Sequence, residues 1–244
     1  VMTTGGVFVS LFAEGAGGRS HYGLYDTGSE RWIPIPNDEG YSDLAVWTGT
    51  EVFTFGTAGG TTASLFDPVA RTWRQASVSD SALQTSGVWS GSEVIVWGGL
   101  HWGTYTARDR GWRYNPSLDS SVSVGSGSTP ERRALHSATW TGNELIVWGG
   151  FRDWLGDGMV GESINTGAYY VPATNAWLPT ARLGAPSERD SHSAVWTGRE
   201  MIVWGGNGSV RMVQEFDSCY GSEFRDVGAL LDPTTNSWTE MSAS

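Results

Sequence analysis

Residues 191–206 read SHSAVWTGREMIVWGG: two short apolar runs joined by a tight polar turn and stopped by a glycine pair. Each run is strand-sized and rich in the β-branched and aromatic residues that favour extended backbone. Near copies are LHSATWTGNELIVWGG at 135–150, SGVWSGSEVIVWGG at 86–99 and LAVWTGTEVFTFG at 44–56, and a worn version, VMTTGGVFVSLF, opens the chain at 1–12. The joint (Thr-Gly-x-Glu at 48–51, 141–144 and 197–200, with Ser90–Glu93 in the third copy) predicts a two-residue hairpin turn whose glycine takes positive φ.

A second landmark follows four of the five copies. An aromatic or leucine is answered by tryptophan at a fixed distance: Tyr25 and Trp32, Phe66 and Trp73, Tyr170 and Trp177, Leu231 and Trp238. Between them lie DTGSER, DPVART, VPATNA and DPTTNS, in which Asp-Pro sets a type I turn and a nearby Asn or Gly accepts left-handed backbone. Gly111–Gly150 aligns on Gly167–Gly206 without a gap, which puts Ser121 where the other repeats carry tryptophan.

Each repeat thus holds four strand-sized pieces. A ends in the turn, B ends at or near Gly-Gly, C carries the aromatic, and D opens on tryptophan. The set recurs at roughly 1–36, 42–77, 84–124, 134–180 and 190–242. B is a continuous apolar run (VIVW, LIVW, MIVW), as a strand buried on both faces requires. Four-stranded antiparallel sheets with two apolar faces must be stacked between others like them. The fold class is therefore all-β, a β-propeller of four-stranded antiparallel blades, five of them in this chain, forming a single domain.

Composition narrows the function. The 244 residues include 34 glycines and 14 tryptophans, and no stretch has the length or period of a long helix. A net charge of −11 with no basic run gives nucleic acid nothing to hold. All 15 cations are arginine, which excludes lysine Schiff-base and general-base chemistry. Cys219 stands alone, so no intrachain disulfide or thiolate cluster forms, and no segment approaches a membrane span. Val1 precedes Met2 with no signal peptide, which points to a processed or trimmed chain.

The pattern resembles kelch repeats. That family opens strand A with Arg-x-x-His, ends B on Gly-Gly, and places Tyr-Asp-Pro and tryptophan around the C–D turn. Arg189, His192, Gly205, Gly206, Asp232, Pro233 and Trp238 match it, as do Arg133, His136, Gly149, Gly150 and Tyr170 one repeat earlier. Asp43 and Thr85 stand where the second and third repeats should carry histidine, and the first repeat lacks the double glycine. Five complete sets imply either a five-bladed ring or part of a larger one. The phrasing AVWTG-x-EMIVWGG is similar to kelch-repeat proteins exported by bacteria, which implies a secreted, periplasmic or cell-surface location. The resemblance gives Arg-x-x-His a scaffold role, tying the D–A link to strand A.

Chemistry is expected where the repeats differ. The A–B and C–D turns are short throughout, whereas the B–C loops lengthen along the chain, on one face and on adjacent blades. His101, Trp102 and Tyr105 in the third, Arg152 and Trp154 in the fourth, and Arg211, Phe216, Tyr220 and Phe224 in the fifth are the candidate ligand-binding residues. Flat rings interleaved with arginine suit a protein hot spot or sugar stacking. No catalytic residue is assigned: Asp153, Asp157, Glu162, Glu215 and Asp217 are available, but no motif selects a pair. No metal or cofactor is expected, because His21, His101, His136 and His192 have no ligand spacing. The leading expectation is a non-enzymatic module that binds a protein or glycan. A carbohydrate-active enzyme or sugar isomerase with an axial pocket, and a structural or assembly module, stay open.

Overall fold

The computed structural model describes residues 2–3, 6–12, 20–35, 42–56, 63–78, 80, 82–101, 103–104, 106–125, 130–155, 160–208 and 224–241. The first repeat forms β1 (Met2–Thr3), β2 (Gly6–Phe12), β3 (Ser20–Asp26) and β4 (Arg31–Pro34). The second forms β5 (Leu44–Trp47), β6 (Val52–Phe55), β7 (Ala63–Asp67) and β8 (Thr72–Gln75), and the third β9 (Ser86–Trp89), β10 (Val94–Trp97), β11 (Gly111–Asn115) and β12 (Ser120–Ser123). In the fourth, β13 (Ser137–Trp140) and β14 (Leu145–Trp148) are followed by an extra pair, β15 (Phe151–Leu155) and β16 (Val160–Ser163), before β17 (Gly167–Val171) and β18 (Ala176–Pro179). The fifth forms β19 (Ser193–Trp196), β20 (Met201–Trp204), β21 (Gly228–Asp232) and β22 (Ser237–Met241). Each repeat is one four-stranded sheet with its strands in chain order, and β15 pairs with β16 alone. Among the described residues there is no helix. The chain divides into two compact units, Val1–Val96 with Trp112–Ser123, and Trp97–Gly111 with Val124–Ser244.

The A–B turns are closed by a hydroxyl as well as by glycine. In the fourth repeat the Thr141 N–H donates to the Glu144 carbonyl at 3.0 Å, while the Glu144 N–H donates to Thr141 Oγ1 at 3.0 Å. Ser90 does the same for Glu93, at 2.9 and 3.0 Å. The side chain replaces the second backbone bond of the turn, so the position needs Thr or Ser. Gly142 has φ +108 with open space around its α-carbon, so its glycine is set by backbone conformation alone. In the C–D turns the Asp67 carboxylate accepts from the Val69 and Ala70 N–H groups at 2.8 and 2.9 Å. With the turn held from that side, the left-handed residue need not be Asn or Gly. It is Asn175 and Asn236 in two repeats but Glu30, Arg71 and Asp119 in the others.

Packing in the first unit explains the missing tryptophan of the third repeat. Trp73, which opens strand D of the second repeat, lies on Tyr22 and Phe8 of the first, with ring centroids at 5.1 and 6.3 Å. In the third repeat the ring comes from strand C instead. Trp112 packs on Phe53 and Phe55 at 5.9 and 5.1 Å, and Ser121 pairs with Tyr114 as Trp177 pairs with Tyr170. One indole is thus moved across the sheet while the filled volume is kept. Trp112→Ala should cost about 3–5 kcal/mol. Adding Ser121→Trp should return part of that loss, and urea unfolding of the two variants checks it.

In the second unit a recurring interlock joins consecutive repeats. Trp148 packs at a tilt against Trp238 of the next repeat with centroids at 5.3 Å, and Trp97 meets Trp177 edge-on at the same distance. The next repeat's histidine stands edge-on to the same indole, His192 to Trp148 at 5.2 Å and His136 to Trp97 at 5.7 Å. A Cβ on Gly149 would lie 2.6 Å from the His192 ring and 2.9 Å from the Arg189 carbonyl; on Gly98 it would lie 2.7 Å from both the His136 ring and the Arg133 carbonyl. That close approach lets the Gly150 and Gly99 N–H groups donate to those two carbonyls at 2.9 and 2.8 Å. The first glycine of each pair therefore makes room for the following repeat, a constraint stronger than ending a strand.

The arginine of Arg-x-x-His has a different task from its histidine. Arg133 is fully buried and donates to the carbonyls of Glu131 (3.0 Å), Gly149 (3.0 Å) and Thr166 (2.6 Å). Arg189 repeats this with Ser187 (3.0 Å), Gly205 (3.0 Å) and Val227 (2.7 Å). Each guanidinium pins the D–A link, the end of B and the start of C of its own repeat. The expected tie to strand A is therefore a wider one. Burial pulls Arg133 down to about 10, partly offset by Glu131, which leaves it charged at neutral pH.

One expectation fails at β20. Every residue of β6, β10 and β14 is buried, as the continuous apolar runs predict, but in β20 Ile202 is half-buried and Trp204 is 43% exposed. Among the described residues no ring packs on Trp204 as Trp177 and Trp238 pack on its counterparts.

Candidate functional site

The B–C loops of the last three repeats, where the candidate residues lie, all fall in the second unit. The loop after β10 folds back on itself: Leu100 bridges Ala107, the His101 N–H donates to the Thr106 carbonyl at 2.9 Å, and His101 Nδ1 meets Thr104 Oγ1 at 3.1 Å. The loop after β14 is a ribbon rather than irregular chain, with Phe151 opposite Ser163, Arg152 opposite Glu162 and a bulge before Leu155. A bulge re-aims the side chains beyond it, a common device beside binding sites.

Consecutive loops are stitched together at their bases by the D–A links. Arg108 bridges Arg133, and the next residue, Ala134, bridges Phe151. Ser163 Oγ donates to Asp190 at 2.8 Å, and Asp190 bridges Asn207, which in turn bridges Phe224. Positions far apart in sequence are thereby held as one strip.

The strip carries mixed charge. Arg152 lies between two carboxylates, donating to Glu162 through Nε and Nη2 at 3.0 and 2.8 Å and pairing through Nη1 with Glu131. Arg182 approaches Glu131 from the other side at 3.8 Å. These carboxylates, Glu162 first, raise the Arg152 pKa. Arg225 pairs with Glu188 at 3.6 Å beside Phe224, whose ring is 84% exposed.

Of the candidate residues, His101 and Phe224 are exposed and Arg152 is half-buried in its ion-pair network. Trp102, Tyr105, Arg211, Phe216 and Tyr220 lie outside the described residues, as does the side chain of Trp154, whose backbone belongs to β15. Glu131, Arg182, Glu188 and Asp190 belong to no motif that singles them out in the sequence. They sit on D–A links, which the alternating strand directions bring to the same edge as the B–C loops.

The two Arg-x-x-His histidines do not join the strip. His136 and His192 are held against Trp97 and Trp148, and both rings are kept neutral. Burial, then Arg133 and His192, holds His136 well below the usual histidine value; burial, then Arg189, lowers His192 to about 4. Between pH 6.5 and 4 the unfolded chain binds protons that the folded chain refuses. Stability is therefore full above pH 6.5 and falls by up to about 1.4 kcal/mol per pH unit for each ring on acidification. Urea midpoints measured across that window should show the slope, and a His136→Asn/His192→Asn protein, though less stable, should flatten it.

The fold and this strip fit a kelch-like β-propeller: repeated four-stranded sheets locked by Gly-Gly, Arg-x-x-His and tryptophan, with varied loops on one edge. No family model matches the chain. It is similar to the human protein named Kelch domain-containing protein 3, at 25% identity over 130 residues, which is 52% of this chain and 30% of the human one. No helix of the described residues is long and apolar enough to cross a membrane.

Proposed function

We propose that the chain is a non-enzymatic interaction module that recognises a protein partner on the edge formed by the B–C loops of its last three repeats. The observation carrying this reading is the exposed Phe224 ring beside the Glu188–Arg225 pair, on a strip that also holds the Arg152 network. An exposed ring bordered by paired, solvent-accessible charges has the make-up of a hot spot with a polar rim. The same rings would serve a glycan, which is the other outcome of the test. Converging carboxylates would favour the enzyme, but Glu131 and Glu162 are both occupied by Arg152.

Protein and glycan panels probed with the immobilised chain supply the ligand. Phe224→Ala and Arg152→Ala should each then weaken binding by about 1–2 kcal/mol. Their unfolding free energies should shift by less than about 1 kcal/mol, as exposed positions and surface ion pairs do. Normal binding by both variants would remove this edge from the interface, and turnover of a bound sugar would replace the module by an enzyme.

A further inference from the structure

Along the strip, arginine is largely engaged within the molecule, while carboxylates beside Phe224 stay open. Arg133 and Arg189 are committed to backbone carbonyls, and Arg152 lies between Glu131 and Glu162. Beside Phe224 stands Arg225, whose guanidinium packs on Gly208, where a Cβ would lie 2.5 Å from Nη2. It approaches Glu188 Oε1 at 3.6 Å, beyond hydrogen-bond distance, so the Glu188 carboxylate keeps its lone pairs for another donor. Asp226 is exposed and has no hydrogen bond or ion pair among the described residues. Phe224 itself lies across Asn207 from Asp190 in the bridged backbone, with its ring 84% exposed. An aromatic face is electron-rich, and open carboxylates beside it add to the negative field. By sequence the loop 207–227 carries Glu215, Asp217, Glu223 and Asp226 against Arg211 and Arg225, in a chain of net charge −11. This balance is complementary to a positively charged partner.

We infer that the partner presents an arginine to this edge, its guanidinium lying over the Phe224 ring and donating to the Glu188 carboxylate, with Asp226 adding to the field. The inference rests on the proposed function and adds the chemistry of the ligand. A cation within about 6 Å of a ring face is attracted by the ring's quadrupole. Arginine suits the place better than lysine. Its plane stacks on the ring while its edge still donates in pairs to a carboxylate, whereas an ammonium is a point donor that holds its water. An acidic segment would meet the opposite situation, because Arg152 is already engaged on both sides. Arg225 competes with the incoming arginine for Glu188 and so holds the affinity of the edge down.

Short random peptides selected by display on the full chain at low salt supply the probes. Enriched peptides should carry arginine, and Phe224→Ala should weaken their binding several-fold. Replacing that arginine by citrulline, which keeps the shape and removes the charge, should also weaken binding several-fold, and lysine in its place should recover only part of the loss. In a Glu188→Gln/Asp226→Asn protein the citrulline penalty should shrink to about twofold or less. Arg225→Gln, which frees Glu188, should tighten the arginine peptides by roughly two- to fivefold. Peptides that depend on Phe224 yet carry no cation, tolerate citrulline or recover fully with lysine would overturn the arginine and leave the edge in place. Peptides whose binding ignores Phe224→Ala would remove the edge itself. A selection that enriches nothing would overturn the inference as well.

Discussion

Trp148→Ala is expected to remove about 3–5 kcal/mol of unfolding free energy, whereas Trp204→Ala at the equivalent position one repeat later should remove only about 1 kcal/mol. Both indoles end a B strand just before a glycine pair, and both strands read as uninterrupted apolar runs. What differs is the cover. Trp148 lies under Trp238 and His192 with no exposed surface, so its truncation opens a cavity lined by Ile146, Tyr169 and the residues of β20 and β21 in the same cluster. Trp204 keeps nearly half its surface in water and leaves little void. Paired urea titrations with unchanged m-values would show the contrast. Equal losses at the two positions would mean that packing against the next repeat is not what stabilises strand B.

The second large effect belongs to Arg133. Its guanidinium satisfies the Glu131, Gly149 and Thr166 carbonyls, and a hydroxyl bond to Thr166 Oγ1 at 3.1 Å completes the set. Arg133→Ala orphans buried acceptors at about 1–3 kcal/mol apiece and removes side-chain volume, so a total loss of about 3–5 kcal/mol is expected. Arg133→Lys should recover little, because one ammonium group cannot span carbonyls that a planar fork reaches together. The acceptors are neutral, so the loss should be nearly independent of added salt. An ion pair such as Arg152 with Glu131 and Glu162 should instead weaken as salt screens it.

Much of this architecture was legible in the sequence because its signals are local. The continuous apolar run of strand B, the Thr-Gly turn and the tryptophan opening strand D each lie within one strand or turn. The indole exchange between Trp112 and Ser121 was not, because a core conserves volume across neighbouring strands rather than at one position. The role of Arg133 was only half legible: a motif shows the donor, but backbone carbonyls leave no mark in sequence. The β15–β16 ribbon escaped because the bulge between Arg152 and Leu155 breaks the alternation of FRDWL. At the candidate site, Arg152 and Phe224 stood out as unusual loop residues. Glu131, Arg182 and Glu188 did not, since only the path of the D–A links brings them to the same edge.

Scaffold and site are therefore written differently. The glycine pair, its arginine and histidine partners and the packed indoles recur because each sheet must fit the next. The stretch from Ser191 to Gly206 belongs to that repeating part, and the loop after it belongs to the variable part.

The most direct test of this interlock is native-state amide exchange at the second glycine of each pair. Gly99 and Gly150 donate to the carbonyls of Arg133 and Arg189, whereas Gly206 has no such acceptor among the described residues. Slow exchange at Gly99 and Gly150 with fast exchange at Gly206 is the predicted result. Fast exchange at all three, or protection of Gly206 equal to that of Gly150, would contradict it.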